Sequence, residues 1–351
     1  MMREVREKKW SELAQVWQEL CDNNPTATPF QSYEFLTYTK RGKAQWREPL
    51  RLFGVREWNL LLYSDGRPVA IAPLQIKSNR GVVTVVLRGH FTVANHLDFI
   101  YSSWSFDDFR FLMDYIRQRL GRVSFVLDRI SERTVTCGYL KRYFAGNSME
   151  EHECFSIHVP ASHDDWLNGL NRSVKRNLIG YHNRMKRDNL AWSVDFYCGQ
   201  PIGKKLCRRL MRVYARRFLE KNSLRFGAFR GVVARLLQMF LIRDRMTRWM
   251  NQGEGSLHAV LNVNGEVAAF TSGIICRDKR IILSRFAINT DYSRYGPGGV
   301  LLSALVRHVT EQNRSGAMDI RELDLSQGGQ GGMSYKQAYG GKLHYNYVFY
   351  G

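Results

Sequence analysis

Cysteine is scarce and scattered: six residues, at positions 21, 137, 154, 198, 207 and 276, with no Cys-x-x-Cys pair. That spacing excludes a zinc ribbon and a disulfide-stapled scaffold, and it points to a reducing compartment. No apolar run approaches the roughly 18 residues of a spanning helix. The N-terminal MMREVREKKW is charged, but no apolar stretch follows it, so a secretory signal is not expected. No glycine-rich stretch ends in Gly-Lys-Ser/Thr, which excludes a P-loop. Helix-turn-helix, zinc-finger and RNA-recognition signatures are missing as well. Acidic residues fall short of basic ones, 32 against 52, for a formal net charge of +20. The shortage is local. Residues 172–250 hold 20 basic and four acidic residues, a net +16, and the segments on either side carry +2 each. An acidic partner met by that one segment is expected.

What is present can build a large core: 351 residues, 44% hydrophobic and 13% aromatic, enough for two or three domains and too apolar for disorder. Helical periodicity in Trp10, Leu13, Val16, Trp17 and Leu20 is broken by Pro25 and Pro29. Short β-rich runs follow. Asn59–Tyr63 and Pro68–Ile76 flank the turn residues Ser64–Arg67, and Val82–Leu87 extends the sheet. Helices near Ser105–Leu120 and Arg133–Phe144 alternate with strands near Val123–Asp128 and Cys154–Val159. The second half opens on the segment Asp164–Leu170 and a basic helix at Ser173–Arg187, then strand Ala191–Tyr197 and long basic helices at Lys204–Lys221 and Arg230–Asn251. Leu257–Val263, Asn264-Gly265 and Glu266–Cys276 make a hairpin, since Asn-Gly supplies the positive φ of a type I′ turn. Arg280–Ile288 completes a meander, Val300–Gln312 is a helix, Glu322–Ser326 a short strand, Tyr335 lies on a short helix, and Leu343–Tyr350 is the last strand. Both halves share one plan, which suggests a duplicated fold with domains at 1–150 and 151–351.

Between the meander and its helix runs Tyr292–Gly299, where Gly296, Gly298 and Gly299 open the helix. The first turn of a helix leaves N–H groups unpaired and carries partial positive charge, so phosphate oxygens are natural ligands there. Glycines let the backbone come close to a pyrophosphate, although the same residues also serve simply to turn a strand into a helix. The strands before the loop form a hairpin rather than a βαβ unit, against a Rossmann fold.

The order hairpin, strand, glycine loop, helix, short strand, Tyr-bearing helix and final strand resembles the GNAT acyltransferase superfamily, with Ser293-Arg294-Tyr295-Gly296-Pro297-Gly298 in the frame of its acyl-CoA loop. A closer resemblance is to the cellulose-biosynthesis-type acetyltransferase subfamily related to Fem peptidyltransferases. It rests on Thr28–Ser32 (Thr-Pro-Phe-Gln-Ser), Ala72–Leu74, Arg176–Leu178, Gly296-Pro297-Gly298 and Tyr335-Lys336, which occur in order across the chain. The resemblance implies an α/β protein of tandem GNAT-like folds, each a mixed central sheet flanked by helices, with a degenerate first fold and acyl-CoA held by the second. Phe286, Ala287 and Ile288 would line the thiol arm, and Arg294, Gly296, Gly298, Gly299 and Val300 the pyrophosphate. Tyr335 would protonate the departing thiolate.

Other residues suit acyl transfer to an amine. Alternation places Glu322, Asp324 and Ser326 on one face of their strand, where Asp324 could take the ammonium proton and Ser326 could touch substrate; a solvated face is the alternative. Lys336 could bind an acidic acceptor or the phosphates. His96 and Asp98 stand on one face of an extended segment, as a base and its orienting carboxylate. A metal site lacks a third ligand, and none is expected. The expected activity is N-acyl transfer from acyl-CoA to an amine on a sugar, amino acid or lipid-like base. The alternatives are a Fem-like transferase using aminoacyl-tRNA and a non-enzymatic module binding a polyanion or membrane surface. Residues 172–250 would meet CoA phosphates, an acyl carrier protein, tRNA or an anionic membrane. The expected location is the cytoplasm, with peripheral attachment at the inner face of a membrane as the variant.

Overall fold

The computed structural model describes residues 2–40, 55–79, 82–90, 94–221, 231–233, 236, 255–327 and 335–351. The expected helix Arg230–Asn251 falls almost wholly outside them, as do residues 328–332 of the last glycine-rich stretch. The chain divides into two compact units, one running to Glu153 and joined by His344–Gly351, the other Cys154–Leu343.

The first unit contains β1 (Arg3–Glu7), α1 (Ala14–Asp22), α2 (Tyr33–Lys40), β2 (Val55–Ser64), β3 (Arg67–Asn79), β4 (Val82–Leu87), β5 (Ile100–Tyr101), α3 (Phe106–Leu120), β6 (Val123–Ser131) and α4 (Val135–Tyr143). The β2–β3 turn forms where expected, with Asp65 at φ 47° and Gly66 at φ 75°. Strands β1 to β4 pair antiparallel in sequence order, and β4 then pairs parallel with β6 from Val83↔Val123 to Val86↔Val126. The charged REVRE of β1 gives no apolar alternation and escaped the sequence reading; it is an edge strand, where charge discourages further pairing. Trp17, Phe30, Phe35, Phe99, Phe109 and Phe125 fill the core.

The second unit takes in β7 (Met149–His158) from Cys154 onward, then α5 (His163–Gly169), α6 (Arg172–Arg187), β8 (Trp192–Cys198), α7 (Lys204–Lys221), β9 (Ser256–Val263), β10 (Glu266–Ile275), β11 (Arg280–Ile288), α8 (Pro297–Arg314), β12 (Glu322–Gln327) and α9 (Tyr335–Ala338). Its strands lie in the order β7-β12-β11-β10-β9-β8, with only β11–β12 parallel. The final strand, β13 (Lys342–Tyr350), pairs antiparallel with β6. Its last residues, His344–Gly351, therefore cluster with the first unit, unlike the expected division at residue 150.

Helices cover both faces of the second sheet. Leu178 and Met185 of α6 pack with Val300, Leu301 and Leu305 of α8 and with Ile281, Leu283, Leu323 and Leu325 of the sheet. On the opposite face Leu210, Met211, Ala215 and Leu219 of α7 are buried, and the Arg285 guanidinium lies 5.8 Å above the Tyr214 ring. The described part of the basic segment is thus no single groove. α6 and α7 carry their charge on opposite sides of one sheet.

Candidate active site

The site begins with a misfit between β10 and β11. Ser272 pairs with Arg285 while Gly273 pairs with Leu283, so Ser284 is an extra residue, a β-bulge. A bulge bends its strand and reverses the side-chain alternation beyond it. Ile281 and Leu283 enter the core before Ser284, and Phe286 and Ile288 turn to that same face after it. The bend separates β11 from its parallel neighbour. β12 pairs with β11 only across Arg280–Ile282 against Glu322–Asp324, although β11 continues along β10 to Ile288. Among the described residues, the β11 edge beyond the bulge has no strand beside it.

Three side chains fix the end of β12. Ser326 sits at φ 60°, a left-handed conformation that costs a non-glycine residue about 1 kcal/mol or more. Asp324 sustains it by accepting the Ser326 N–H at 2.7 Å, and the Ser326 hydroxyl donates to the Leu283 carbonyl at 3.1 Å. The Lys336 ammonium donates to the carbonyls of Leu325, Ser326 (2.9 Å) and Gln327 (2.7 Å).

Above this opening starts α8. Gly296 is its N-cap at φ 54°, Pro297 occupies the first turn, and that turn has no acidic residue. The first intrahelical bond runs from Val300 N–H to the Gly296 carbonyl at 3.1 Å, so helix geometry leaves the Gly298 and Gly299 N–H groups without an acceptor on their own helix. A Cβ on Gly298 would fall 3.4 Å from Ile288 and 3.5 Å from Phe286. The equivalent helix of the first unit ends differently. At α3 the Ser105 hydroxyl accepts the Asp108 N–H at 3.1 Å, Asp108 accepts the Ser105 N–H at 3.0 Å, and Asp107 adds a second carboxylate. Those carboxylates fill and repel where a phosphate would sit, so the phosphate-ready terminus belongs to α8.

Two tyrosines absent from the sequence reading shape the turn. A Cβ on Gly296 would overlap the Tyr181 ring of α6, and one on Gly299 would overlap the Tyr339 hydroxyl and lie 3.3 Å from Leu178. Burial, followed by the neighbouring Tyr181 and Tyr335, pushes the Tyr339 phenol up to about 12. Tyr339 follows Tyr335 by one helical turn, and that i, i+4 spacing is the signal that would have found it. Tyr335 is 55% exposed at the start of α9; the protein around its ring raises its phenol above the ordinary value, so it keeps its proton at neutral pH.

Several sequence expectations change. Asp324 is fully buried rather than on a solvated face, with Arg280 at 3.9 Å. Lys336 is buried with its donors on backbone carbonyls, which leaves it unsuited to grip substrate. Arg294 pairs with Asp188 and the Tyr295 hydroxyl, so its guanidinium is committed beside the C-terminal end of α6. The Ala287 side chain is buried on the α7 face, and Val300 is a core residue whose N–H is bonded. His96 and Asp98 do not act as the expected pair: His96 Nδ1 meets Asn346 at 3.5 Å, whereas Asp98 accepts from Phe99 N–H at 2.7 Å and Tyr101 at 3.5 Å. Both lie in the first unit. Among the described residues no cluster of His, Cys, Asp and Glu could hold a metal ion.

Residues 193–337 match the acetyltransferase (GNAT) domain family. That match lies within the second unit, which therefore carries a GNAT-type domain. Its fold is similar to that of a tandem GNAT protein from the clavulanic acid biosynthesis pathway (12% identity, TM-score 0.51, 99% of this chain and 98% of that one). It is also similar to FemX (9%, 0.51, 98% and 96%). A third likeness is to the C-terminal domain of a putative lysylphosphatidylglycerol synthetase from Agrobacterium fabrum (12%, 0.50, 97% and 92%). No curated protein matches the chain by sequence. The chain thus has the tandem GNAT-like architecture of these structures, with mixed sheets flanked by helices.

Proposed function

We propose that the second unit transfers an acyl group from acyl-CoA to an amine. The carrying observation is the parting of β11 and β12 beneath the uncapped start of α8: a strand edge able to bond an extended amide arm leads to two N–H groups suited to a pyrophosphate. Phe286 and Ile288 would flank the arm. Thioester aminolysis needs a neutral amine, a polarised carbonyl and a proton for the thiolate. The β11 edge offers backbone N–H groups for the second, and Tyr335, protonated and accessible, supplies the third. Asp324 acts through the backbone as a positioning residue, because its carboxylate holds the Ser326 turn. The kinship with cellulose-biosynthesis-type acetyltransferases belongs to this proposal, as does an amine acceptor on a sugar, amino acid or lipid-like base.

Calorimetry with acetyl-CoA tests the reading. Gly298→Asp places a carboxylate beside Phe286 and Ile288 at the helix start, where it suits the helix and repels phosphate. Donor binding is expected to vanish with the circular dichroism spectrum unchanged. Tyr335→Phe is expected to lower kcat by about 10²–10⁴ at unchanged donor affinity. Unaltered affinity in Gly298→Asp, or turnover with aminoacyl-tRNA and none with acyl-CoA, overturns the proposal.

A further inference from the structure

α6 carries six basic residues and no acidic one over Arg172–Arg187. Its inner side is committed to the unit: Leu178 and Met185 are core residues and Tyr181 covers Gly296. Some cations are engaged, Lys175 with Asn168, Arg184 with the Arg294 carbonyl and Arg187 with Asp188. Among the described residues Arg172, Arg176 and Lys186 have no ion-pair partner. They recur at helical spacing on the outward face, a stripe about 21 Å long at 1.5 Å per residue. Ile179 lies in the middle of that stripe, 55% exposed. Trp192, 37% exposed, extends it sideways through His182, whose ring it meets edge-on at 5.2 Å.

We propose that this face docks the protein on an anionic phospholipid surface. The cations match lipid phosphates, and an aliphatic side chain with a flanking tryptophan matches the apolar depth just below the headgroups. A polynucleotide would meet the same charge but has no apolar layer to receive Ile179, and its usual stacking partners are aromatic. The stripe on α7, with Lys204, Lys205 and Arg208, lies across the sheet, so a flat bilayer cannot touch both helices at once. The proposal does not depend on which acyl donor the glycine turn holds.

Flotation of the full chain tests it, with vesicles of phosphatidylcholine alone and with about one-third phosphatidylglycerol. Binding is expected only with the anionic lipid. Arg172→Gln, Arg176→Gln and Lys186→Gln together should lower partitioning about 100-fold, at roughly fivefold per cation, and Ile179→Ser should lower it by about tenfold. The matched triple Lys204→Gln, Lys205→Gln and Arg208→Gln should change it by less than about threefold, because its charge faces away. Vesicles should shift tryptophan emission to the blue, and Trp192→Phe should remove most of that shift. Circular dichroism confirms that each variant folds. Equal losses in the two triples mean attraction to net charge alone and overturn the proposal. So does indifference to Ile179→Ser, or tighter binding to duplex RNA that the α6 triple abolishes.

Discussion

Gly299→Ala separates two accounts of the glycine turn, because the structure gives each of its glycines a different neighbour. At Gly299 the added methyl overlaps the Tyr339 hydroxyl, lies 2.9 Å from Cζ of that ring and reaches Leu178 at 3.3 Å. Overpacking of this kind costs about 1–3 kcal/mol, offset by up to about 1 kcal/mol of helix propensity. The net loss of about 1–2 kcal/mol should lower Tm by about 2–8 °C for a unit of this size. Gly298→Ala meets only ordinary contacts at 3.4 and 3.5 Å and should leave Tm unchanged or slightly raised. Gly296→Ala combines overlap with Tyr181 and a left-handed φ of 54°, and should be the most damaging, at about 2–4 kcal/mol. The decisive comparison is a double-mutant cycle by thermal melting. Tyr339→Phe removes the overlapping oxygen and should restore at least about 1 kcal/mol to Gly299→Ala. Strict additivity would falsify the packing account. A Gly299→Ala protein with unchanged Tm and no CoA binding would instead show that this glycine keeps space for phosphate.

Asp324→Ala removes the acceptor that sustains the Ser326 turn and strips a carboxylate from buried Arg280; with charge-assisted bonds at about 1.5–3 kcal/mol, Tm and donor affinity should fall together. Asp324→Asn keeps an oxygen for the Ser326 N–H and should retain most of both, whereas lost kcat at normal Tm and donor affinity would make Asp324 a chemical base. Acidification should move the two units in opposite directions. Burial lowers the His163 pKa, with Arg307 donating to Nδ1 at 3.4 Å and Nε2 meeting Ser303 at 3.0 Å, while Asp164 and Glu311 act weakly the other way. The unfolded chain then takes up the proton first. The His163 contribution is complete above about pH 6.5 and is lost as pH falls through the lower folded value. Burial raises Asp98 to about 7, so its folded form binds the proton first and the first unit gains stability as pH falls from about 7 toward 4. Hydrogen exchange resolved by unit, at about pH 7.5 and 5.5, should show protection rising in the first unit and falling in the second. Asp98→Asn should erase the rise and His163→Gln should shrink the fall; parallel changes in both units would refute the argument.

Local chemistry was readable from the chain alone. Asp65-Gly66 and Asn264-Gly265 turn where their positive φ values demand. Alternation and helical periodicity located the meander of the second unit, and the glycine loop marked the approach to α8, which starts at Pro297, three residues before the expected Val300. Each depends on residues within a few positions of one another, which is the range over which turn geometry and side-chain period act. Two motifs of the resemblance are structural. Gln31 of Thr28–Ser32 caps its own turn and donates to the Phe99 carbonyl at 3.3 Å, and Ala72–Leu74 is buried strand.

The tertiary structure decided what depends on register between distant segments. One extra residue at Ser284, visible only against Ser272 and Gly273, reverses which side chains face α8 and opens the gap from β12. Alternation placed Asp324 on a face, but only the packing of β12 between β7 and β11 determined that this face is buried. Tyr181 and Tyr339 reach the glycine turn from about 115 residues before and about 40 after it. A segment that reads as one block of positive charge is divided when its helices fold onto opposite faces of a sheet. Composition records charge per residue, whereas direction is set by which apolar stripe each helix buries.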